Sequence, residues 1–247
     1  MGNGVPAMEL PWFKAEYTRG VRDFSRRGIE GLRFAGMRLD QVRFRAVRGA
    51  RADFALAALT DCDFADADLA GASFSRASLS RCRFEGARTT GWTLRHVQAR
   101  DCDLRGLDLE GVDLGEAVLE GCDLSGLDLR SVAGLHATGM RLARLAGAVL
   151  ERQYLAGCDL AMAHLPGADL RGANLSFATL TATDLRGADL SGAILFAADL
   201  SRADLRDARL VGADLAEAVL DRSNLVGADL TDARGLPSGG PTAAVLG

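Results

Sequence analysis

The chain has 247 residues, is 48% hydrophobic and 6% aromatic, and carries a net charge of −4, which excludes disorder as a description of the whole and leaves room for a sizeable core. Lysine occurs once, at Lys14, and the charge is lopsided: residues 1–100 hold 17 basic and 11 acidic residues, residues 101–247 hold 12 and 22. No apolar run reaches the ~18 residues of a membrane span, no secretory signal opens the chain, and five cysteines without paired spacing exclude a disulfide framework, so the expectation is a soluble cytoplasmic protein.

Residues 1–20 stand outside any repeat; Pro11, Trp12, Phe13, Glu16 and Tyr17 predict a short helix or turn whose aromatics cap the first coil of the repeat region. From Phe24 to Leu129 every fifth residue is Leu or Phe in 18 of 22 slots, the exceptions being Ile29, Gly49, Thr89 and Ala99. From Leu135 to Leu230 all 20 slots are Leu except Met140, and the phase slips by one residue at 130–134, which predicts a bulge or a slight rotation between two halves. Two residues before each slot lies a small position, Ala or Cys in 27 of 42 cases. A period of five fits neither a helical face nor a flat strand; it requires a chain that bends once per quintet, with Leu/Phe and Ala/Cys both pointing inward. Cys62, Cys82, Cys102 and Cys122 are spaced by twenty, as are Phe24, Phe44, Phe64 and Phe84, so four quintets make one coil and the repeat region 21–232 makes about ten coils. Trp92 occupies a small inward slot while Thr89 and Ala99 shrink nearby, which reads as volume compensation in a packed core. Residues 233–247 read as a Pro/Gly-rich tail.

Quintets such as Ala168-Asp169-Leu170-Arg171-Gly172 and Ala188-Asp189-Leu190-Ser191-Gly192 resemble the A(D/N)LxG signature of pentapeptide repeat proteins across residues ~22–232. The resemblance implies an all-β fold, a right-handed quadrilateral parallel β-helix. The most informative branch of that family consists of gyrase-protecting proteins that resemble duplex DNA in size and charge and are associated with quinolone resistance or self-protection. This chain shares the repeat and an acidic half with that branch. It differs in its basic N-terminal half, in the lack of inserted loops, and in having no C-terminal dimerisation helix; a homodimer is left open.

Catalytic chemistry finds no foothold: His96, His136 and His164 are isolated, and neither a GxSxG elbow nor a Walker-type loop is present, so no enzyme, metal or cofactor is expected. The cysteine ladder is linear and reads as small buried thiols filling Ala-sized slots. Residues twenty apart become vertical neighbours. In the first half these neighbours alternate in sign, as in Arg43, Asp63, Arg83 and Asp103, so the Arg-rich stretch 33–51 reads as structural and direct nucleic-acid binding is not expected. In the second half like charges stack: Asp103 on Asp123, Asp108 on Asp128, Asp169 on Asp189, Asp184 on Asp204. Such columns cost stability, and these eight aspartates are the expected acidic face for a basic protein partner, DNA gyrase or topoisomerase IV. The alternative is a passive scaffold or protein-interaction solenoid unrelated to topoisomerases.

Overall fold

A computed structural model describes residues 8–236. In every regular quintet the residue two after the inward slot has positive φ, as at Arg26, Gly31, Leu56 and Gly187 (φ 58–64° across the last three, 61° at Arg26). At most corners the slot carbonyl accepts a bond from the N–H three residues on, as from Ala57 N–H to Phe54 O (3.0 Å) and from Ala188 N–H to Leu185 O (3.0 Å). That combination is a tight turn of type II sign, and it is the corner that the period of five demands. The remaining ladder bonds run to the coils on either side: Phe54 N–H donates to Ser73 O (2.8 Å) and Asp53 N–H to Leu32 O (2.8 Å). Bridges join Asp23 to Arg43, Arg43 to Asp63 and Asp63 to Arg83, all parallel and all twenty apart. A parallel β-solenoid with four corners per coil results.

The chain divides into two compact units, Met1–Val118 with Ser131–Ala133, and Leu119–Arg130 with Gly134–Gly247. In the first, strands β1 (Arg38–Asp40), β2 (Ala58–Thr60), β3 (Ser78–Ser80) and β4 (Gln98–Arg100) stack in parallel with Leu39, Leu59, Leu79 and Ala99 in register. A further strand, β5 (Val118–Glu120), lies where the chain passes from one unit to the other. The wall of regular strands therefore runs through about four turns, fewer than the ten coils read from the repeat. Elsewhere coils meet through single-residue bridges, because a quintet leaves few extended residues between corners.

The core of the first unit is aromatic. Phe34, Phe54 and Phe74 stack at 4.8 and 4.9 Å, and Phe44, Phe64 and Phe84 at 5.0 and 5.1 Å, while the two columns meet edge to face (Phe54–Phe64, 5.5 Å, 86°). Offset and T-shaped pairs add about 0.5–1.5 kcal/mol each beyond burial. Trp92 packs on Phe74 and Phe84 and donates its Nε1–H to Leu69 O (2.9 Å), so its bulk is absorbed in the core. At Gly49 a Cβ would stand 3.0 Å from Leu69 Cδ2 and 3.2 Å from Ile29 Cγ1; the coils above and below have closed over the missing side chain. Cys62 and Cys82 occupy neighbouring coils: Arg83 N–H donates to Cys62 O (3.0 Å), and the Cys82 thiol points at Leu59 O as the Cys62 thiol does at Leu39 O (3.5 Å each). All five cysteines are buried. The Cys102 and Cys62 thiols beside it, together with burial, push the Cys82 thiol well above its usual range, and burial pushes Cys158 up to about 12.

Helix α1 (Leu10–Thr18), with Pro11 in its first turn, lays Phe13 over the first coil. Phe13 is fully buried against Phe24 (4.5 Å) and Phe34 (5.0 Å), and Tyr17 Oη accepts the Asp40 N–H (3.0 Å). In the second unit the core is leucine and alanine. There the register first steps by twenty-one (Asp123 to Arg144, Asp128 to Val149) and afterwards by twenty (Gly139 to Asp159), whereas Asp113 to Ala133 in the first unit still steps by twenty. The extra residue is thus taken up after Ala133, slightly later than the 130–134 phase slip suggests. It is accommodated not as a strand bulge but as a 3-10 turn, Leu135–Ala137, entered through Gly134 at φ 79° and closed by a bond from Thr138 Oγ1–H to Gly134 O (3.1 Å). The expected tail falls largely on residues 237–247, which lie outside the described residues; Arg234 still bridges Asp214.

This geometry generates two stability tests. Leu56 sits at φ 58° with 64% of its surface exposed, so Leu56→Gly relieves a left-handed penalty of ~1–2 kcal/mol, less ~0.5–1 for the freer unfolded chain, and raises the urea midpoint; Gly187→Ala, into open space at φ 63°, lowers it by a similar amount. Phe13→Ala uncovers the first coil and destabilises the first unit by about 3 kcal/mol, read as early loss of amide protection in residues 22–44.

Candidate functional site

The residue just before each inward slot points outward from the middle of a wall. When it is Asp, one carboxylate oxygen reaches the backbone N–H two residues on and holds the corner: Asp103 to Arg105 (3.2 Å), Asp108 to Glu110 (3.1 Å), Asp123 to Ser125 (3.1 Å), Asp128 to Arg130 (3.1 Å), Asp169 to Arg171 (3.2 Å), Asp184 to Arg186 (3.2 Å), Asp189 to Ser191 (3.0 Å) and Asp204 to Arg206 (3.2 Å). All eight aspartates expected to form the acidic face thus have a local structural task, the Asx-type turn.

Their placement is decided by register. Asp103 and Asp108 belong to the first unit. The other six fall in two adjacent columns of the second: Asp123, Arg144, His164, Asp184, Asp204 and Asn224 on one wall, and Asp128, Val149, Asp169, Asp189, Arg209 and Asp229 on the next. Asp169 and Asp189 are bridged neighbours, as are Asp184 and Asp204, as expected.

The repulsion expected from these stacks is answered by arginine. In the triplets Asp103-Leu104-Arg105, Asp128-Leu129-Arg130, Asp169-Leu170-Arg171, Asp184-Leu185-Arg186 and Asp204-Leu205-Arg206 the guanidinium folds back over the corner onto both carboxylate oxygens. The Nη2 contacts are 2.6–2.8 Å, and the Nε contacts to Oδ1 2.7–3.0 Å. Asp123 is met by Arg144 Nε (3.4 Å) and Asp189 by Arg209 Nε (3.9 Å), while Arg186 also approaches Asp204 (3.8 Å). Each of the six aspartates of the second unit therefore has an arginine within 4.0 Å, and each has a different one: the two walls carry a lattice of paired charges, not bare acid. Among the described residues Asp108 has its turn bond and no arginine within that distance. His164 Nδ1 lies 2.7 Å from Asp184 Oδ2. The arginine bonds hold the carboxyls of Asp169, Asp184 and Asp204 below their usual range against the opposing effect of burial, and Arg130 draws Asp128 down to about 2.

The signal for this pairing was present in the sequence as the recurring Asp-Leu-Arg triplet, which a reading by columns of twenty passes over. In the first unit the alternation read from the sequence does place Arg83 on Asp63 (2.6 Å) and Arg88 on Asp68 (3.5 Å). It also shapes a cleft of about 640 Å³ lined by Arg22, Arg43, Arg81 and Arg83 with Asp23, Asp61 and Asp63. Arg81 grips Asp61 through two bonds (2.8 and 2.7 Å), so this cleft is a paired lattice as well. Among the described residues no cluster of His, Cys, Asp and Glu has the form of a metal site, and no helix is long and apolar enough to cross a membrane.

Because these carboxyls are lowered in the folded state, their contribution to stability is present above the unfolded carboxyl range near pH 4 and is lost as pH falls through the folded values, down to about 2 at Asp128. Acid unfolding is therefore expected to begin below about pH 4 and to be promoted by salt. Asp184→Asn keeps an acceptor for the Arg186 N–H but loses the ion pairs, lowering stability by ~0.5–1 kcal/mol instead of raising it as a naked acid column would; Asp184→Ala loses the turn bond too and costs about 1 kcal/mol more. Urea titrations of the three proteins at pH 7 and pH 3 check both the sign and the order.

No curated protein matches the chain. Among solved structures it is similar to HetL, a pentapeptide repeat protein involved in heterocyst differentiation regulation from the cyanobacterium Nostoc sp. strain PCC 7120, at 27% identity over 96% of this chain and 99% of that one (TM-score 0.38). It is similar to full-length QnrB1, a plasmid-mediated fluoroquinolone resistance protein, at 18% identity over 86% and 92% (TM-score 0.24). It is also similar to a pentapeptide repeat protein of the Arabidopsis thaliana thylakoid lumen, at 34% identity over 47% and 69% (TM-score 0.21). The repeat itself is what classifies the chain: the pentapeptide repeats pattern matches in eight copies at residues 57–88, 100–132, 143–172, 163–196, 173–210 and 198–234, more than half of the sequence. The protein belongs to the pentapeptide repeat family.

Proposed function

We propose that this protein is a non-enzymatic binding protein that works in the cytoplasm and docks on a protein partner through the two carboxylate-bearing walls of its second unit. The observation that carries the reading is the gathering of Asp123, Asp128, Asp169, Asp184, Asp189 and Asp204 into two adjacent columns on a scaffold whose inward positions are wholly occupied by core. A rigid array with charge spacings set by the backbone binds by complementarity and loses little conformational entropy in doing so. A basic, DNA-handling surface is the partner class that fits the carboxylates, and a type II topoisomerase, DNA gyrase or topoisomerase IV, is the first to test. Each arginine folded over its aspartate must be displaced or shared on docking, so the face suits a surface carrying both signs better than a uniformly basic one. That one-to-one pairing is also the observation that favours the second reading, a scaffold solenoid whose partner is unrelated to topoisomerases.

The deciding measurement is supercoiling by gyrase, and quinolone-poisoned cleavage, with and without the protein at micromolar concentration. Protection that weakens when Asp169 and Asp204 are changed to Asn supports the topoisomerase reading. Absence of both binding and protection removes it and leaves the scaffold.

A further inference from the structure

On the first-unit wall that carries Asp23, Arg43, Asp63 and Arg83, the small inward column reads Val42, Cys62, Cys82 and Cys102. Alanine fills such slots elsewhere in the chain, so volume alone does not call for cysteine in three successive coils. The thiols form a continuous row, with that of Cys82 hydrogen-bonded to Cys62 on one side and to Cys102 on the other. Parallel coils about 4.8 Å apart bring stacked cysteines inside the ~4.4–6.8 Å Cα window of a disulfide. The rung between Cys62 and Cys82 is clamped on both sides: Arg81 grips Asp61 (2.8 and 2.7 Å) and Arg83 meets Asp63 (2.6 Å). One rung on, the Asp103 carboxylate is taken by Arg105 of its own coil.

Cys62 is also the cysteine that lines the arginine cleft, beside Gln41, Asp61 and Arg81. These three neighbours stack at one corner, and all are left-handed without being glycine (φ 56°, 51° and 51°). A corner strained in three successive coils opens locally at lower cost, and through such openings a small solute reaches Cys62, which is 1% exposed when the corner is closed. The bond from Cys82 holds the Cys62 thiol below its usual range, while the Cys102 and Cys62 thiols, with burial, push Cys82 up. Cys62 is therefore the better nucleophile of the pair.

We propose that Cys62 and Cys82 form a reversible disulfide when the protein meets hydrogen peroxide, Cys62 reacting first at the cleft and Cys82 closing the bond. The Cys62 sulfur attacks one peroxide oxygen; an S–O bond forms, the O–O bond breaks, and the other oxygen leaves as water with the thiol proton. The Cys82 sulfur then attacks the Cys62 sulfur; the S–S bond forms, the S–O bond breaks, and a second water carries away the Cys82 proton. Two thiols are oxidised to one disulfide and one peroxide is reduced to two waters. The bond closes one coil on itself and fixes the Asp61–Arg81 and Asp63–Arg83 pairs across the cleft. Exchange with a dithiol reductant opens it again.

The test takes the full chain, reduced and then given stoichiometric hydrogen peroxide under folding conditions, and reads intact mass, non-reducing peptide maps and the urea midpoint. Loss of two hydrogens, a peptide pair joining Cys62 to Cys82, a raised midpoint and reversal of all three by dithiothreitol are expected. Cys158, which stands between Thr138 and Ala178 and donates to Thr138 O (3.0 Å), stays reduced. Cys62→Ala and Cys82→Ala lose the cross-link and Cys102→Ala keeps it; alanine is an ordinary occupant of the slot, so all three fold. The proposal is overturned by a chain that keeps both hydrogens or only gains oxygen, by a cross-link that appears only in urea, or by one that joins Cys82 to Cys102 while Cys62 stays reduced.

Discussion

Everything in this molecule depends on one local event: a left-handed residue two positions after each inward side chain, which turns the backbone through a corner before the next inward residue. The corner removes no ladder bond, because its own carbonyl and amide bond within the turn or to the next coil. Each regular coil therefore offers the same N–H and C=O pattern to its neighbours, and away from the twenty-one-residue step at Asp123–Arg144 and Asp128–Val149 bridged residues lie twenty apart. The same event explains why the extra residue of the second unit is absorbed at Leu135–Ala137. A corner can be rewound as a 3-10 turn with Leu135 still buried, whereas an insertion within a wall would throw every outward residue out of column.

Charge obeys the same geometry at two ranges. In the first unit arginine and aspartate alternate between coils, so pairs form across rungs, as Arg83 does with Asp63. In the second unit the columns repeat aspartate, and four of the six, Asp128, Asp169, Asp184 and Asp204, are met within the rung by an arginine two residues on, while Arg144 and Arg209 reach Asp123 and Asp189 across rungs. The negative excess of residues 101–247 is consequently not concentrated on the two walls with the most aspartate. It is spread over other walls, at Asp159 and Asp199 in the column that ends in Val219 and at Asp214 beyond Ile194, and over corners such as Asp207 and Glu217. A partner reading this surface meets local dipoles on one side and the exposed Tyr154, Phe177 and Ile194 side chains on another.

Residues that the fold would place differently are informative for the same reason. At a left-handed corner glycine is the least strained choice, and the chain uses it at many corners. Leu56, Met162 and Phe177 depart from that choice, are exposed, and gain no core contact to offset it. The cysteines show the opposite case: in the inward column a small buried thiol fills the slot as alanine does.

By itself the sequence determined the period of five, the coil of twenty, the identity of every inward column and the aromatic stacks of the first unit. These are repeated choices made one quintet at a time, each legible from spacing alone because an inward position admits only apolar or small side chains. The tertiary structure alone decided which arginine answers which aspartate, where the additional residue is accommodated, and that Phe177 and Ile194 share an open edge. Those outcomes depend on how an outward side chain folds over its corner and on what the neighbouring coil presents to it, and an outward position, open to water, imposes no pattern on the sequence from which they can be read.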